Sequence, residues 1–201
     1  MKTTIFTIAL LTTTILGFNQ SAKAATGKTE GAAATATTLT NVSNVSEIEV
    51  RGNVELYVSA GTADQVKVYN NYYANNALVQ DDKGVLRIAS YGTQKLTVWV
   101  TANQLAKLSV YDNATVKSFG KLSAINLDVE LYNNASAQLN MDAFSANVKV
   151  NDNAKANLTG DVAEGSLKAN NTANLNTKDL KVSHLAKTTE VKSEAIELAL
   201  L

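Results

Sequence analysis

The chain has 201 residues, with 18 lysine and arginine residues against 18 aspartate and glutamate residues, one histidine, and neither cysteine nor proline. This balance carries no electrostatic signature of binding to nucleic acid or anionic lipid. The missing cysteines exclude a small secreted fold held by disulfides. One histidine without cysteine gives no ligand set for zinc, and we expect neither a metal nor a cofactor.

Residues 1–24 have the three parts of a secretory signal peptide. Lys2 provides the charged start, residues 5–18 are mainly apolar but too short to span a bilayer comfortably, and Ala22-Lys23-Ala24 is an Ala-x-Ala cleavage site. We expect a mature chain from Ala25 without a transmembrane segment. It would lose two lysines, leaving 16 basic and 18 acidic residues, a net charge of −2. The alternative is an uncleaved anchor.

Residues 25–44 are rich in Ala, Thr, Gly, Ser and Asn and predict a flexible leader, since such a segment buries too little apolar surface to become ordered. From Val45 onward, short runs alternate apolar and polar residues, which is the period of a strand with one buried face. The run at 78–88 predicts a hairpin that uses Gly84 in its connection. We interpret this half as irregular strands and hairpins that open the domain, with a separate small sandwich as the alternative.

A turn phrase recurs four times in the second half of the chain, starting at Tyr111, Tyr132, Asn151 and Asn170. It reads Tyr-Asp-Asn-Ala at 111–114, Tyr-Asn-Asn-Ala at 132–135, Asn-Asp-Asn-Ala at 151–154 and Asn-Asn-Thr-Ala at 170–173. Alternating runs flank each phrase, and Asn and Asp suit turns because they bond their own backbone and tolerate positive φ. One such unit cannot bury its apolar face, whereas stacked units bury a continuous core. We therefore predict an all-β fold, a single-domain parallel β-solenoid over residues 45–201.

Stacking in register would place the asparagines of these turns above one another, about 4.8 Å apart. Amide side chains at this spacing can bond along the stack. We interpret the row as a structural turn ladder rather than a ligand or calcium strip, because the Gly-rich, Asp-containing nonapeptide of calcium-binding β-rolls is absent. Its members are Asn113, Asn134, Asn153 and Asn171.

The last residues, 190–201, alternate again and predict a capping strand, with a short helix as the alternative. A cap is needed because the end of a solenoid exposes an unpaired strand edge and its core. An open end can also pair with another chain, so we expect a monomer or a weak end-to-end dimer.

Repeated strand–turn–strand units with small residues in the turn, after an N-terminal strand region and a signal peptide, resemble the bacterial DUF2807 family. This family is also called the auto-transporter adhesin head, or GIN, domain, and the similarity runs from about Val45 to about Leu198. Its turns usually read Ser-Gly-Ala-Gly, where this chain carries Asn and Asp. Asn keeps access to the left-handed region at some cost in strain. The resemblance implies a β-solenoid and leaves the biochemical role open.

Candidate catalytic groups are few. His184 lies in an alternating run without a nucleophile elbow, so we interpret it as a solvent-facing strand residue. Asp112 and Asp152 share a position in the turn phrase and are the candidates for paired carboxylates of glycoside hydrolysis. No long insertion builds a cleft around them, so we predict no catalytic residue and no enzymatic activity.

The best candidate for ligand binding is the polar aromatic loop at residues 70–76. It contains Tyr72, Tyr73 and Asn75, and exposed tyrosines beside asparagine suit recognition of a sugar or a protein. The structural alternative is that one ring packs against the domain.

The sequence thus predicts an exported, non-catalytic protein of the periplasm or cell surface, structural or adhesive in type. It would bind a glycan or an envelope or surface protein through the solenoid face or its loops. The alternative is a periplasmic carbohydrate-binding module with weak glycan-hydrolysing activity.

Overall fold

The structure is a computed structural model of the chain, and it describes residues 36–39, 42–69, 77–171 and 174–186. The signal peptide, most of the leader, the loop with Tyr72, Tyr73 and Asn75, and the end at 190–201 lie outside the described residues. The described residues belong to one compact unit, Ala34–Leu201. Among them, no helix has the length and apolar character that crossing a membrane requires.

The predicted all-β fold class is confirmed. The described strands form one mixed sheet. They are β1 (Thr37–Leu39), β2 (Glu47–Gly52), β3 (Val54–Ala60), β4 (Gln65–Val68), β5 (Ala77–Asp82), β6 (Val85–Ser90), β7 (Leu96–Ala102), β8 (Lys107–Val110), β9 (Thr115–Ser118), β10 (Leu122–Leu131), β11 (Ser136–Val150), β12 (Lys155–Ala169) and β13 (Leu175–Ala186).

The second half of the chain pairs strictly in parallel. Val129 of β10 lies opposite Leu108 of β8, and the shift between these partners equals the spacing of the first two turn phrases. On its other side Val129 lies opposite Val148 of β11, and β11 continues onto β12 with the same offset. This second offset equals the spacing of the later phrases, so every strand lies beside its own counterpart in the next repeat. The β12–β13 pair begins at this offset and shifts by one residue between Asn157 and Thr159.

The first half shares the same sheet but mixes its pairing. β2 lies between β6 and β8 in parallel, and β3 lies between β7 and β9 in parallel. Antiparallel pairs join β1 to β4, β4 to β7, and β5 to β6. The β5–β6 hairpin follows from its two-residue turn, where Lys83 and Gly84 have φ of 53° and 85°. Two positive φ values match the right-handed strand twist and reverse the chain tightly, which imposes antiparallel pairing.

The core lies on one face of this sheet. Alternate residues are buried along most of β2, β3, β7, β11 and β12, whereas β13 has no buried residue. The largest fully buried side chains are Ile48, Leu56, Leu86, Ile88, Leu96, Leu108, Leu127, Leu131, Leu139, Met141, Leu158 and Val45. The alanines of the turn phrases, Ala114, Ala135 and Ala154, are also fully buried. A small residue at this position lets the chain turn while the apolar stack continues beneath it.

The long strands β11 and β12 bend around this core. In β11 the buried positions are odd-numbered up to Ala143 and even-numbered from Ala146, so the alternation changes at Phe144, which is 57% exposed. In β12, Gly160 has φ +105°, and a Cβ there would lie 2.0 Å from the carbonyl oxygen of Met141. Only glycine permits this close approach of neighbouring backbones.

Candidate functional site

A cluster of aromatic side chains lies on the face of the sheet opposite the core. Tyr57 of β3 and Trp99 of β7 are each flanked in sequence by buried residues, so the strand period points their rings outward. The two residues are direct partners in parallel register. Their rings stack with centroids 4.6 Å apart and an interplanar angle of 19°. Such offset stacking adds to the energy of burial alone.

Two further rings extend the cluster. The centroid of Phe119, just after β9, lies 5.3 Å from that of Trp99 in a tilted arrangement. Tyr69, just after β4, lies 6.4 Å from Trp99, edge to face. Phe119 is 64% exposed, whereas the other three are half-buried. We call Tyr57, Tyr69, Trp99 and Phe119 the aromatic patch.

Charged side chains border the patch on both sides. Lys117 of β9 is the neighbour of Tyr57, with its Nζ 5.6 Å from the ring centroid and 2.8 Å from Glu55 Oε1. The hydrogen bond from Lys117 holds the pKa of Glu55 below its ordinary value, with further help from the charge of Lys95 and against the effect of burial. The same bond raises the pKa of Lys117. Both groups are therefore ionised at neutral pH.

Lys67 of β4 lies on the other side and is the antiparallel partner of Trp99. It makes no ion pair with any residue that the structure describes. Neutral hydroxyls complete the surroundings, since Ser59 Oγ and Thr101 Oγ1 are 3.1 Å apart on the same face. The patch thus combines accessible apolar area with hydroxyls, one neutralised lysine and one lysine without a counterion among the described residues.

A second aromatic pair lies on the part of the sheet formed by β2, β8 and β10. The rings of Tyr111 and Tyr132 stack with centroids 4.9 Å apart, nearly parallel at 5°. The guanidinium carbon of Arg51 lies 3.9 Å from the Tyr111 centroid. Glu130, below them, accepts a 2.8 Å bond from Lys149, which lowers the pKa of the glutamate. Tyr111 thus contacts Arg51 of β2 and Tyr132 of the next repeat, so this pair links side chains of adjacent strands.

The turn phrases form a hydrogen-bonded row along the stack. Asp112, Asn133 and Asp152 have φ of 61°, 60° and 55°. Asn133 Nδ2 donates to Asp112 Oδ1 at 3.0 Å, and the Asn133 N–H donates to Asp152 Oδ2 at 2.9 Å. Asp112 Oδ2 also accepts from the Gly52 N–H at 3.1 Å. A neutral amide between two carboxylates avoids like charges at neighbouring positions.

Of the asparagines expected to form the ladder, Asn113, Asn134 and Asn153 lie one residue later in their phrases, whereas Asn171 has the same phrase position as Asn133. All four are exposed. Asn134 Nδ2 lies 3.5 Å from Asn113 Oδ1, at the limit of a hydrogen bond. The backbone carries the stacking at this point, since the Asn134 N–H donates to the Asp112 carbonyl at 2.9 Å and the Asn153 N–H to the Asn133 carbonyl at 2.9 Å. In the first three phrases the shorter side-chain bonds therefore belong to the second position, at Asp112, Asn133 and Asp152.

The other sequence candidates are dispersed. His184 is exposed on β13, opposite Glu164 of β12. Within the described ranges no group of three or more His, Cys, Asp or Glu side chains could hold a metal ion. Asp112 and Asp152 flank Asn133 and accept hydrogen bonds from it. The aromatic patch was not anticipated from the sequence, although the period-two pattern already places Tyr57 and Trp99 on the polar side of apolar runs.

Comparisons with known proteins identify one family and two solved structures of similar fold. The model of DUF2807, described as "Putative auto-transporter adhesin, head GIN domain", matches residues 44–195. The structure is similar to the crystal structure of a putative adhesin from Parabacteroides distasonis, with a TM-score of 0.55 and 16% identity over 75% of this chain and 76% of that one. It is also similar to a putative adhesin from Parabacteroides merdae, with a TM-score of 0.51 and 14% identity over 78% of each chain. At these identities the likeness concerns the fold alone. No curated protein matches the chain significantly.

Proposed function

Because this chain belongs to the DUF2807 family, we propose that it is an exported envelope or cell-surface protein of adhesive type, which binds its partner through the outer face of its sheet. Export is supported by the signal-peptide pattern of residues 1–24. The adhesive role is supported by the family and by the putative adhesins that share the fold.

The architecture that we assign to this function is a parallel β-solenoid. It is supported by the constant offset between β10, β11 and β12, and by the bends that carry β11 and β12 from one side of the core to the next. In this view the antiparallel strands β4 and β5 lie against β7 and β6 and cover the N-terminal end of the stack. A solenoid offers an adhesin a long rigid face on which outward side chains are held in rows.

The aromatic patch is the observation that carries the proposal. A half-buried tryptophan and a 64% exposed phenylalanine occupy solvent-facing positions close together, where small polar residues would serve solubility better. Aromatic groups are enriched at recognition surfaces because they bury large apolar area with little loss of side-chain entropy. The patch also lies on strands and their ends rather than on a long loop, so binding costs little ordering.

A non-catalytic role accompanies this proposal. It is supported by the hydrogen bonds that the two candidate carboxylates accept. Asp112 accepts from the Gly52 N–H and from the Asn133 side chain, whereas Asp152 accepts from the Asn133 N–H. Carboxylates held this way stabilise backbone turns and are poorly placed to act as acid and base on a substrate.

Two experiments test the proposal. Protease shaving of intact producing cells, followed with an antibody, should remove the protein while a periplasmic marker survives. Protection until the envelope is opened would contradict the cell-surface form of the proposal and leave the periplasmic face of the envelope as the binding site.

The second experiment tests the site. Purified mature protein should be retained on isolated envelope material from the producing cells, and Phe119→Ser should reduce retention several-fold. Phe144→Ser is the matched control, because Phe144 is similarly exposed at 57% but lies away from the patch. Equal loss in both variants, or in neither, would refute binding through the patch.

A further inference from the structure

We propose that the aromatic patch and Lys67 form a binding site for an acidic polysaccharide whose sugar units carry uronate carboxylates. The inference rests on the proposed adhesive function and specifies its ligand. Sugar rings would pack on the aromatic patch, above all on Phe119, and a carboxylate would bind the Lys67 ammonium.

The dimensions of the surface favour an extended polymer. Lys67, Trp99, Tyr57 and Lys117 occupy one row across β4, β7, β3 and β9, each being the register partner of the next. Strands are spaced about 4.8 Å apart, so this row spans roughly 14 Å across three strand gaps. A continuous row of this length suits a chain of linked sugars better than a compact small molecule.

The chemistry of the row favours sugars over another apolar partner. The Tyr57 and Trp99 rings stack at 4.6 Å and cover one face of each other, and Phe119 supplies a further ring that is 64% exposed. Sugar C–H groups pack on such aromatic surfaces, while sugar hydroxyls need polar partners nearby. The Ser59 and Thr101 hydroxyls, 3.1 Å apart on the adjoining row, provide them.

The charge of the surroundings selects an acidic sugar. Glu55 is paired with Lys117 at 2.8 Å, so the charge of this carboxylate is neutralised within the protein. Lys67 makes no ion pair with any described residue, so its charge is the one that remains for a ligand on this row. A carboxylate ligand beside Lys67 gains a charge-assisted hydrogen bond.

Protection of a sheet edge does not account for Lys67. Lysines often stand on edge strands, where they prevent pairing with other chains. β4 is an interior strand, because β1 pairs with one side and β7 with the other, and Thr38 of β1 lies directly opposite Lys67. Lys67 therefore lies on an interior strand of the sheet, next to Trp99, and does not protect an edge.

Affinity electrophoresis of the mature protein in gels containing polygalacturonate tests the site, with fully methyl-esterified polygalacturonate as the neutral polymer of the same backbone. Hyaluronan serves as a second uronate polymer of different linkage. We expect retardation by the two acidic polymers and several-fold weaker retardation by the ester. Lys67→Gln should weaken binding to polygalacturonate about fivefold, as expected for one partly exposed charged contact. Phe119→Ser should weaken binding to acidic and esterified polymer alike.

Controls separate the site from general charge effects. Lys168→Gln removes an exposed lysine on β12, and Phe144→Ser removes an exposed ring outside the patch; neither should change retardation. Equal losses for Lys168→Gln and Lys67→Gln would mean diffuse electrostatic attraction and would overturn the proposal. If the ester and the acid bind equally and Phe119→Ser weakens both, the ligand is not selected by its charge. That result would overturn the proposed acidic ligand but would leave the aromatic patch as the adhesive site. If neither uronate polymer retards the protein while retention on envelope material still depends on Phe119, the acidic ligand is likewise refuted and the adhesive patch stands.

Discussion

Asn133 provides a direct test of how the turn row stabilises the fold. Its φ of 60° lies in the left-handed region, and its side chain donates to Asp112 Oδ1 at 3.0 Å. Alanine in this conformation costs about 1 kcal/mol more than asparagine, which visits it readily. Loss of the side-chain hydrogen bond adds about 1 kcal/mol. Asn133→Ala should therefore lower the free energy of unfolding by about 2 kcal/mol.

Glycine at the same position separates the two contributions. Asn133→Gly also loses the hydrogen bond to Asp112 but adopts positive φ freely, so it should cost at most about 1 kcal/mol. Asn134→Ala is the neighbouring control, because Asn134 is exposed and its side-chain contact with Asn113 is 3.5 Å long. It should cost no more than about 0.5 kcal/mol.

Urea unfolding of the mature chain measures these differences. With an m-value of about 2 kcal/mol/M, the Asn133→Ala midpoint should fall by about 1 M and the Asn133→Gly midpoint by half of that or less. Equal midpoints for the alanine and glycine variants would show that backbone conformation contributes nothing here. A loss in Asn134→Ala as large as that in Asn133→Ala would place the ladder at the later position and refute the reasoning.

Two further predictions concern backbone approach and pH. Gly160→Ala should prevent folding or cost more than about 3 kcal/mol, because its Cβ would lie 2.0 Å from the Met141 carbonyl oxygen. Gly120 also has a positive φ, of 80°, but open space surrounds it. Gly120→Ala should therefore lower the free energy of unfolding by only about 1 kcal/mol in the same urea assay. Similar losses in the two alanine variants would count against a steric cause. Lys149 lowers the pKa of Glu130, so this pair contributes stability above the unfolded glutamate value of about 4.3 and loses it as pH falls through the lower folded value. Glu130→Gln should flatten that acid limb of stability against pH, and a profile parallel to the wild type would argue against the pair.

Much of the repeat could be predicted from the sequence because its determinants are local. Alternation of apolar and polar residues defines strands whichever partners they find. The regular spacing of the turn phrases predicts parallel neighbours at the same offset, and Val129 and Val148 are paired in this way. The family resemblance, which rests on the same pattern, is confirmed by the match over residues 44–195.

The position of the ladder within each phrase could not be predicted in the same way. Asp and Asn both tolerate turns, so residue types do not decide whether Asn133 or Asn134 adopts positive φ. The choice depends on how neighbouring repeats are offset along the strand direction. In the structure this offset brings Asn133 within 3.0 Å of Asp112 and 2.9 Å of Asp152, whereas the Asn134 side chain lies 3.5 Å from Asn113.

The sequence by itself determined strands, their buried faces and the repeat, since each depends on residues close together in the chain. Only the tertiary structure decided the aromatic patch, because Tyr57 and Trp99 are distant in the chain and meet through the parallel β3–β7 pair. Lys67 joins them because β4 reverses and pairs antiparallel with β7. Contacts between distant strands depend on register and direction, and a one-residue change in register would turn these side chains into the core.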